Sequence, residues 1–284
     1  MNASDVIAHL NQDRGTSYKI VGRYASGEGG VASQVVDDDA NRYVLKLGDG
    51  HEFRPEHAAR TTQLLRSLGY SAPEYVAIGT VERMSYSLQR MMRGEPIGLR
   101  VRPELLPQLL HLNDLQRGHG ESASEEPERL IRGVMEGYTD FCIIDTFRTY
   151  SADSAALLHA LQRIVAVRAR DCPKRNDIVH FDFHTNNILI EGDRVTGVID
   201  WEGSKSGDCA FDLATLLFYT WPFYDFRGQL WRALIERTTR GAAAVYLAHM
   251  IVRQLDWSMR NHLGETVDRY MRISRDILRE IEQV

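Results

Sequence analysis

The apolar positions of this sequence change period once. Up to Met92 they fall in short runs bounded by turn residues, and from Arg102 onward they recur at helical spacing. In the first stretch, residues 18–24, 33–36, 42–47, 75–79 and 86–92 read as strands. Residues 4–10 read as a short helix with Ser4 as its N-cap. Residues 56–68 read as a longer one, with Ala58, Ala59, Thr62, Leu65 and Leu68 near one face. Gly69 and Pro73 end it. The expectation for residues 1–92 is a twisted antiparallel sheet with one helix against it.

Residues 93–96 are a turn-rich junction. Beyond it, 103–115, 128–138 and 154–168 read as helices, 118–127 as a polar linker, and 211–284 as mostly helical. One stretch breaks the helical rhythm. Two apolar runs, 188–190 and 195–199, flank the turn Glu191-Gly192-Asp193-Arg194 and read as a β-hairpin. Sheet first and helices after predicts an α+β chain of two lobes, 1–92 and 93–284, and not an alternating βαβ fold.

Charge and cysteine content narrow the setting. Lys and Arg number 34 and Asp and Glu 39, a formal net charge of −5 over 284 residues, which does not favour a nucleic-acid backbone as partner. The three cysteines, Cys142, Cys172 and Cys209, show no CxxC spacing, so neither a disulfide framework nor a thiolate zinc site is expected. The first residues lack the basic flank and apolar run of a signal peptide, and no long uncharged apolar stretch occurs. The expectation is a cytoplasmic protein without a membrane partner.

The hairpin gathers the candidate chemistry. His180, Asp182, His184 and Asn187 precede it and Asp200 ends its second strand. Two acids and an amide placed this way can orient an attacking hydroxyl and hold Mg²⁺ against a nucleotide. The same residues allow another use, because His180, Asp182 and His184 alternate and on a strand would face one way, as zinc or iron ligands. Three upstream features belong only to the first account. Gly27, Gly29 and Gly30 lie in a turn between two strands, where backbone N–H groups can face phosphates. Lys46 alternates with apolar neighbours on the strand that follows, and Glu56, or its rival Glu52, could hold that ammonium. At the junction, Met91 or Met92 could lie beside an adenine ring or could simply fill core gaps.

The run His180-Phe181-Asp182-Phe183-His184-Thr185-Asn186-Asn187-Ile188-Leu189 resembles the catalytic loop of the aminoglycoside phosphotransferase and choline kinase superfamily. Val198-Ile199-Asp200-Trp201-Glu202 resembles its metal-binding motif, and Gly207-Asp208-Cys209-Ala210-Phe211-Asp212-Leu213-Ala214 the segment after it. The glycine turn, Lys46, Glu56 and the strand at 86–92 match in order, so the resemblance covers nearly the whole chain. It implies a protein-kinase-like fold that uses ATP or GTP with Mg²⁺ to phosphorylate a hydroxyl of a small molecule. By that resemblance Asp182 is the base and His180 braces its loop. Asn187 and Asp200 are the metal ligands, Gly27, Gly29, Gly30, Lys46, Glu56 and Met91 serve the nucleotide, and Asp208 and Asp212 are structural acids. Three departures stand out. Phe181 replaces the usual glycine, Thr185-Asn186 replaces proline-glycine, and Glu28 sits among the loop glycines.

The acceptor is less legible. A polycationic aminoglycoside needs a carboxylate-rich surface, whereas Phe218, Tyr219, Trp221, Phe223, Tyr224, Phe226 and Trp231 follow Asp212 with only Asp225 acidic among them. Core packing is the expected fate of most of these rings, while His184, Trp221, Tyr224, Asp256 and Glu265 are the candidate acceptor contacts. The leading expectation is a phosphotransferase acting on an antibiotic. The alternatives are a metabolic kinase for choline, an amino-alcohol or a sugar, and a non-catalytic nucleotide-binding protein of the same fold.

Overall fold

In the computed structural model, which describes residues 2–24, 31–48, 53–121, 126–137, 142–262 and 264–283, the chain begins with helix α1 (Ala3–Arg14). Its cap is Asn2 and not Ser4. The Asn2 side chain accepts the N–H groups of Ser4 and Asp5 at 2.8 and 3.2 Å, and Asp5 returns a bond to the Asn2 N–H at 2.9 Å. Strands β1 (Lys19–Arg23), β2 (Val31–Val36) and β3 (Arg42–Gly48) follow, then α2 (Pro55–Ser67), β4 (Tyr75–Val81), β5 (Met84–Arg90) and the short β6 (Glu95–Pro96). Helices α3 (Leu106–Asp114), α4 (Glu126–Met135), α5 (Ile144–Tyr150) and α6 (Ala152–Arg168) come next. After them stand β7 (Asp177–Val179), β8 (Ile188–Glu191), β9 (Arg194–Val198) and β10 (Lys205–Gly207), and the chain closes with α7 (Ala210–Tyr219), α8 (Tyr224–Arg237), α9 (Arg240–Asn261) and α10 (Gly264–Ile281).

The chain divides into two compact units, one of Met1–Pro96 with Asn187–Ser204 and one of Ile97–Asn186 with Lys205–Val284. The first holds an antiparallel sheet in the order β1-β2-β3-β5-β4. One face is covered by α1, whose Ala3, Val6, Ile7 and Leu10 recur at helical spacing and pack with Val35, Leu45, Tyr86 and Leu88. Two helices therefore serve this sheet where the sequence promised one.

The β8–β9 hairpin also belongs to the first unit, and residues 187–204 therefore do not fall in the second lobe as the sequence division at 92 had them. Backbone bonding explains the placement. β6 pairs with β8 through Glu95↔Ile190 and Pro96↔Leu189, and the Val198 N–H donates to Ser71 O at 2.9 Å. In the second unit α9 is the axis: its residues from Gly241 to Val252 are all buried, against α4, α5, α6, α7 and α10. Two features there were not foreseen, the seven-residue α5 and the antiparallel pairing of β7 with β10. Among the described residues no helix is long and apolar enough to cross a membrane.

Candidate active site

In the second unit β7 ends at Val179, so the HxDxH run leaves the strand at its first histidine. The segment is a loop, and the expectation of three side chains on one strand face does not hold. Phe181 turns it, with a φ of +72° in the left-handed region that a non-glycine residue reaches at a cost of about 1–2 kcal/mol. The turn is held from the first turn of α7. Asp212 is fully buried, and its carboxylate accepts the N–H of His180 at 2.8 Å and of Phe181 at 2.9 Å. The Gln116 amide donates to the same carboxylate at 2.7 Å. Burial pushes the Asp212 carboxyl up to about 7 even though these three donors pull it down.

The turn presents Asp182, whose side chain keeps 34% exposure. Its two oxygens are held separately, Oδ1 by Arg253 Nη2 at 3.1 Å and Oδ2 by His184 Nε2 at 3.3 Å. His184 Nδ1 accepts the Asn186 N–H at 3.2 Å, so Nε2 carries the proton that faces Asp182. His180 is fully buried, and its Nδ1 accepts the Asp182 N–H at 3.2 Å, a bracing position. Burial raises the Asp182 pKa, yet the His184 hydrogen bond and the Arg253 charge outweigh it and hold the carboxylate well below its ordinary range. The group stays ionised.

In the first unit the hairpin places Asn187 just before β8 and Asp200 just after β9, at the same end, where the Ile199 N–H donates to Asn187 O at 2.9 Å. Asp200 also has a left-handed backbone, φ +73°. Its Oδ1 lies 2.9 Å from Lys46 Nζ, on β3. Glu202 takes the same ammonium at 3.0 Å, and its other oxygen accepts the Gln89 amide at 3.1 Å and the Tyr75 hydroxyl at 3.3 Å. Burial alone would lower the Lys46 pKa, but the charges of Glu202 and Asp200 raise it above the ordinary lysine value. Trp201 between the two acids is fully buried, donates its indole N–H to Val198 O at 2.8 Å and meets Tyr70 edge-on.

The expected Lys46–Glu56 pair is not the one the fold makes. Helix α2 starts at Pro55 and buries Ala58, Thr61, Thr62 and Leu65, which leaves Glu56 exposed in the first turn. Glu202 holds the lysine in its place. Gly27, Gly29, Gly30, Glu28 and Glu52 lie outside the described residues. Met91 is half-buried, with the Tyr24 hydroxyl 3.9 Å from its sulfur.

The expected acceptor contacts scatter. His184 lies beside Asp182, with its ring 5.0 Å from that of Tyr219. Trp221 is buried under the Arg227 guanidinium, a packing position and not an open face. Tyr224 is 74% exposed on α8, and Glu265 is exposed in the first turn of α10. Asp256 is fully buried and spent on Arg260, at 2.7 Å, and on the Ile143 N–H, at 3.1 Å, so it offers no surface charge. Arg253 beside Asp182 was not singled out by the sequence, and Glu202 beside Lys46 and Tyr219 beside His184 were named there only within a motif and a run of rings. No local motif marks Arg253.

Asp177, Asp208 and Cys209 bring three potential ligand atoms within 4.8 Å of one another. Their geometry is structural. Asp208 accepts from the Ala210 N–H, Arg175, Thr238 and Tyr246, and Asp177 from the N–H groups of Gly118 and Cys209. Burial further pushes the Cys209 thiol up, away from the thiolate a metal needs. Asn187 and Asp200 fit a divalent cation better. They offer an amide and a half-exposed carboxylate, hard oxygen donors of the kind Mg²⁺ takes.

Comparison with known proteins gives the family and the fold. The model of the phosphotransferase enzyme family matches residues 22–246, and the chain belongs to that family. Hygromycin-B 4-O-kinase of Escherichia coli is 34% identical over 87 residues, 31% of this chain but only 23% of that enzyme's length. The crystal structure of aminoglycoside phosphotransferase APH(4)-Ia superposes with a TM-score of 0.73 at 19% identity, covering 98% of this chain and 99% of that one. Amicoumacin kinase hAmiN, in complex with AMP-PNP, Ca²⁺ and amicoumacin, gives 0.66 at 11% identity over 99% and 94%. At these identities the structures define the fold, α+β and protein-kinase-like, as the sequence predicted.

Proposed function

We propose that this protein transfers the terminal phosphoryl group of ATP or GTP to a hydroxyl of a small molecule. The observation that carries the proposal is the Lys46–Asp200 ion pair at 2.9 Å, which joins a phosphate-binding cation to a metal-ligating acid across 154 residues of sequence. Asn187 and Asp200 would hold Mg²⁺, which when bound neutralises charge on the phosphates. Lys46 binds the phosphates of the donor. Asp182 accepts the proton of the acceptor hydroxyl as its oxygen bonds to phosphorus and the bond to the departing nucleoside diphosphate breaks. His184 and Arg253 keep that carboxylate ionised and aimed.

For the acceptor we propose an antibiotic, with hygromycin B the first to try because a segment of this chain is 34% identical to a hygromycin-B kinase. The test is mass spectrometry after incubation with Mg²⁺, ATP or GTP, and a panel of hygromycin B, other aminoglycosides, macrolides, choline and sugars. One added phosphoryl group on an antibiotic, lost with Asp182→Asn, is expected. Modification of choline or a sugar alone makes the protein a metabolic kinase. Tight nucleotide binding with the same product yield from Asp182→Asn overturns the assignment of the base.

A further inference from the structure

Phe181 is held on both sides. Asp212 Oδ1 accepts its N–H at 2.9 Å, and Arg253 Nη1 donates to its carbonyl at 2.7 Å. Its ring is buried, stacked on Phe211 with centroids 5.1 Å apart, and the Arg253 guanidinium lies 4.8 Å from the ring centre. The second arm of that guanidinium reaches Asp182 Oδ1 at 3.1 Å. One planar cation from α9 therefore touches a strained peptide, the aromatic ring on it, and the neighbouring carboxylate. His249, one turn earlier on the same helix, sets its ring 6.2 Å from Phe181 and 5.6 Å from Phe211, so one face of α9 is shaped around this turn.

We infer that Arg253 is a positioning residue for the reaction: it holds the Phe181 peptide in its left-handed turn and, by that turn and its own bond to Oδ1, fixes the direction in which Asp182 faces. The inference rests on the assignment of Asp182 as base in the proposed function. A phenylalanine at positive φ is strained and persists only where its surroundings hold it; here bonds to both its N–H and its carbonyl do so, and loss of either frees the peptide that leads into Asp182. A planar fork suits the two acceptors, since Nη1 takes the Phe181 carbonyl and Nη2 the Asp182 carboxylate, whereas an ammonium offers its donors from a single nitrogen.

The experiment has a stability arm and a turnover arm. Thermal unfolding is followed for the wild type, Arg253→Gln, Phe181→Gly and the double variant. Glycine takes the positive φ without strain, so the Tm loss from Arg253→Gln is expected to be roughly halved when residue 181 is glycine. Equal losses in both backgrounds overturn the inference, and this arm needs no substrate. Should Phe181→Gly not fold, Arg253→Lys decides in its place. It is expected to lose nearly as much Tm as Arg253→Gln, and a wild-type Tm overturns the two-point grip.

In the turnover arm, ADP release from ATP and Mg²⁺ is measured with hygromycin B and with water as the only acceptor. Arg253→Gln should lower kcat about tenfold or more with KM for ATP within about twofold. Arg253→Lys should recover little of it. A kcat unchanged in Arg253→Gln while Asp182→Asn is inactive overturns the inference and leaves the base assignment standing. Full turnover by Asp182→Asn overturns the base assignment itself.

Discussion

Glu202 holds the Lys46 ammonium at 3.0 Å while the Gln89 amide and the Tyr75 hydroxyl fix its other oxygen. The lysine is thus anchored from the segment that follows Asp200 and from the sheet itself, with no part taken by α2. Glu202→Gln should raise KM for ATP on the order of tenfold, because the amide keeps the shape but not the charge that orients the ammonium. Glu56→Ala, altering an exposed side chain, should stay within about twofold. Steady-state kinetics on both variants check this, and the reverse ranking would return the role to Glu56.

The Asp177, Asp208 and Cys209 group should behave as a structural acid cluster. Asp208 has 2% of its side chain exposed and accepts from the Ala210 N–H, Thr238 and Tyr246, and each buried donor left unsatisfied costs about 1–3 kcal/mol. Asp208→Ala should lose stability of that order in urea denaturation. Chelator treatment of the nucleotide-free wild type should leave its Tm unchanged. A chelator-induced drop that vanishes in Asp208→Ala would make the cluster a metal site.

His249 gives the stability curve part of its acid limb. Burial and the Arg253 charge lower its pKa from 6.5 to about 3, so the folded chain keeps it neutral where the unfolded chain protonates it. Stability from this group is full above pH 6.5 and is lost as pH falls from 6.5 to about 3. His249→Asn should flatten the fall of stability across that window in a series of denaturation curves. An unchanged slope would contradict a neutral, buried imidazole.

Gly94 seats the junction on the hairpin. Its φ is +97°, and a Cβ placed there would lie 2.8 Å from Ile190 O. Gly94→Ala combines backbone strain with a clash against a paired strand and should destabilise by roughly 1–3 kcal/mol. Differential scanning calorimetry measures it. A Tm equal to the wild type would mean the junction is free to shift.

Regular, locally encoded features were legible in the sequence. The sheet strands, the hairpin turn at Gly192 with its φ of +60°, and the polar positions on and beside the hairpin follow from period and turn chemistry. Pairings made across long sequence distance were not. Lys46 stood out on its strand, but its partner Glu202 lies 156 residues on, where no spacing rule reaches. Arg253 is one arginine on a buried helix, and its contact with Asp182 spans 71 residues. β7 and β10 have three residues each and α5 has seven, too short to show a period. Trp221 and Asp256 were credited with acceptor contact by residue type alone, and burial in the helical unit removed them.

The split makeup of the first unit orders its assembly during synthesis. Strand β3 leaves the ribosome long before the hairpin, since Asp200 comes 154 residues after Lys46. At translation speeds of roughly 5–20 residues per second that interval lasts on the order of ten to thirty seconds. Through it Lys46, and then Tyr75 and Gln89 as they are made, stand in the nascent chain without the carboxylates that later satisfy them, and the loop bearing Asp182 is added only near its end. A chain released between residues 182 and 200 therefore contains Lys46 and Asp182 but neither acid that steadies the lysine, so premature termination there leaves the ammonium without its carboxylates.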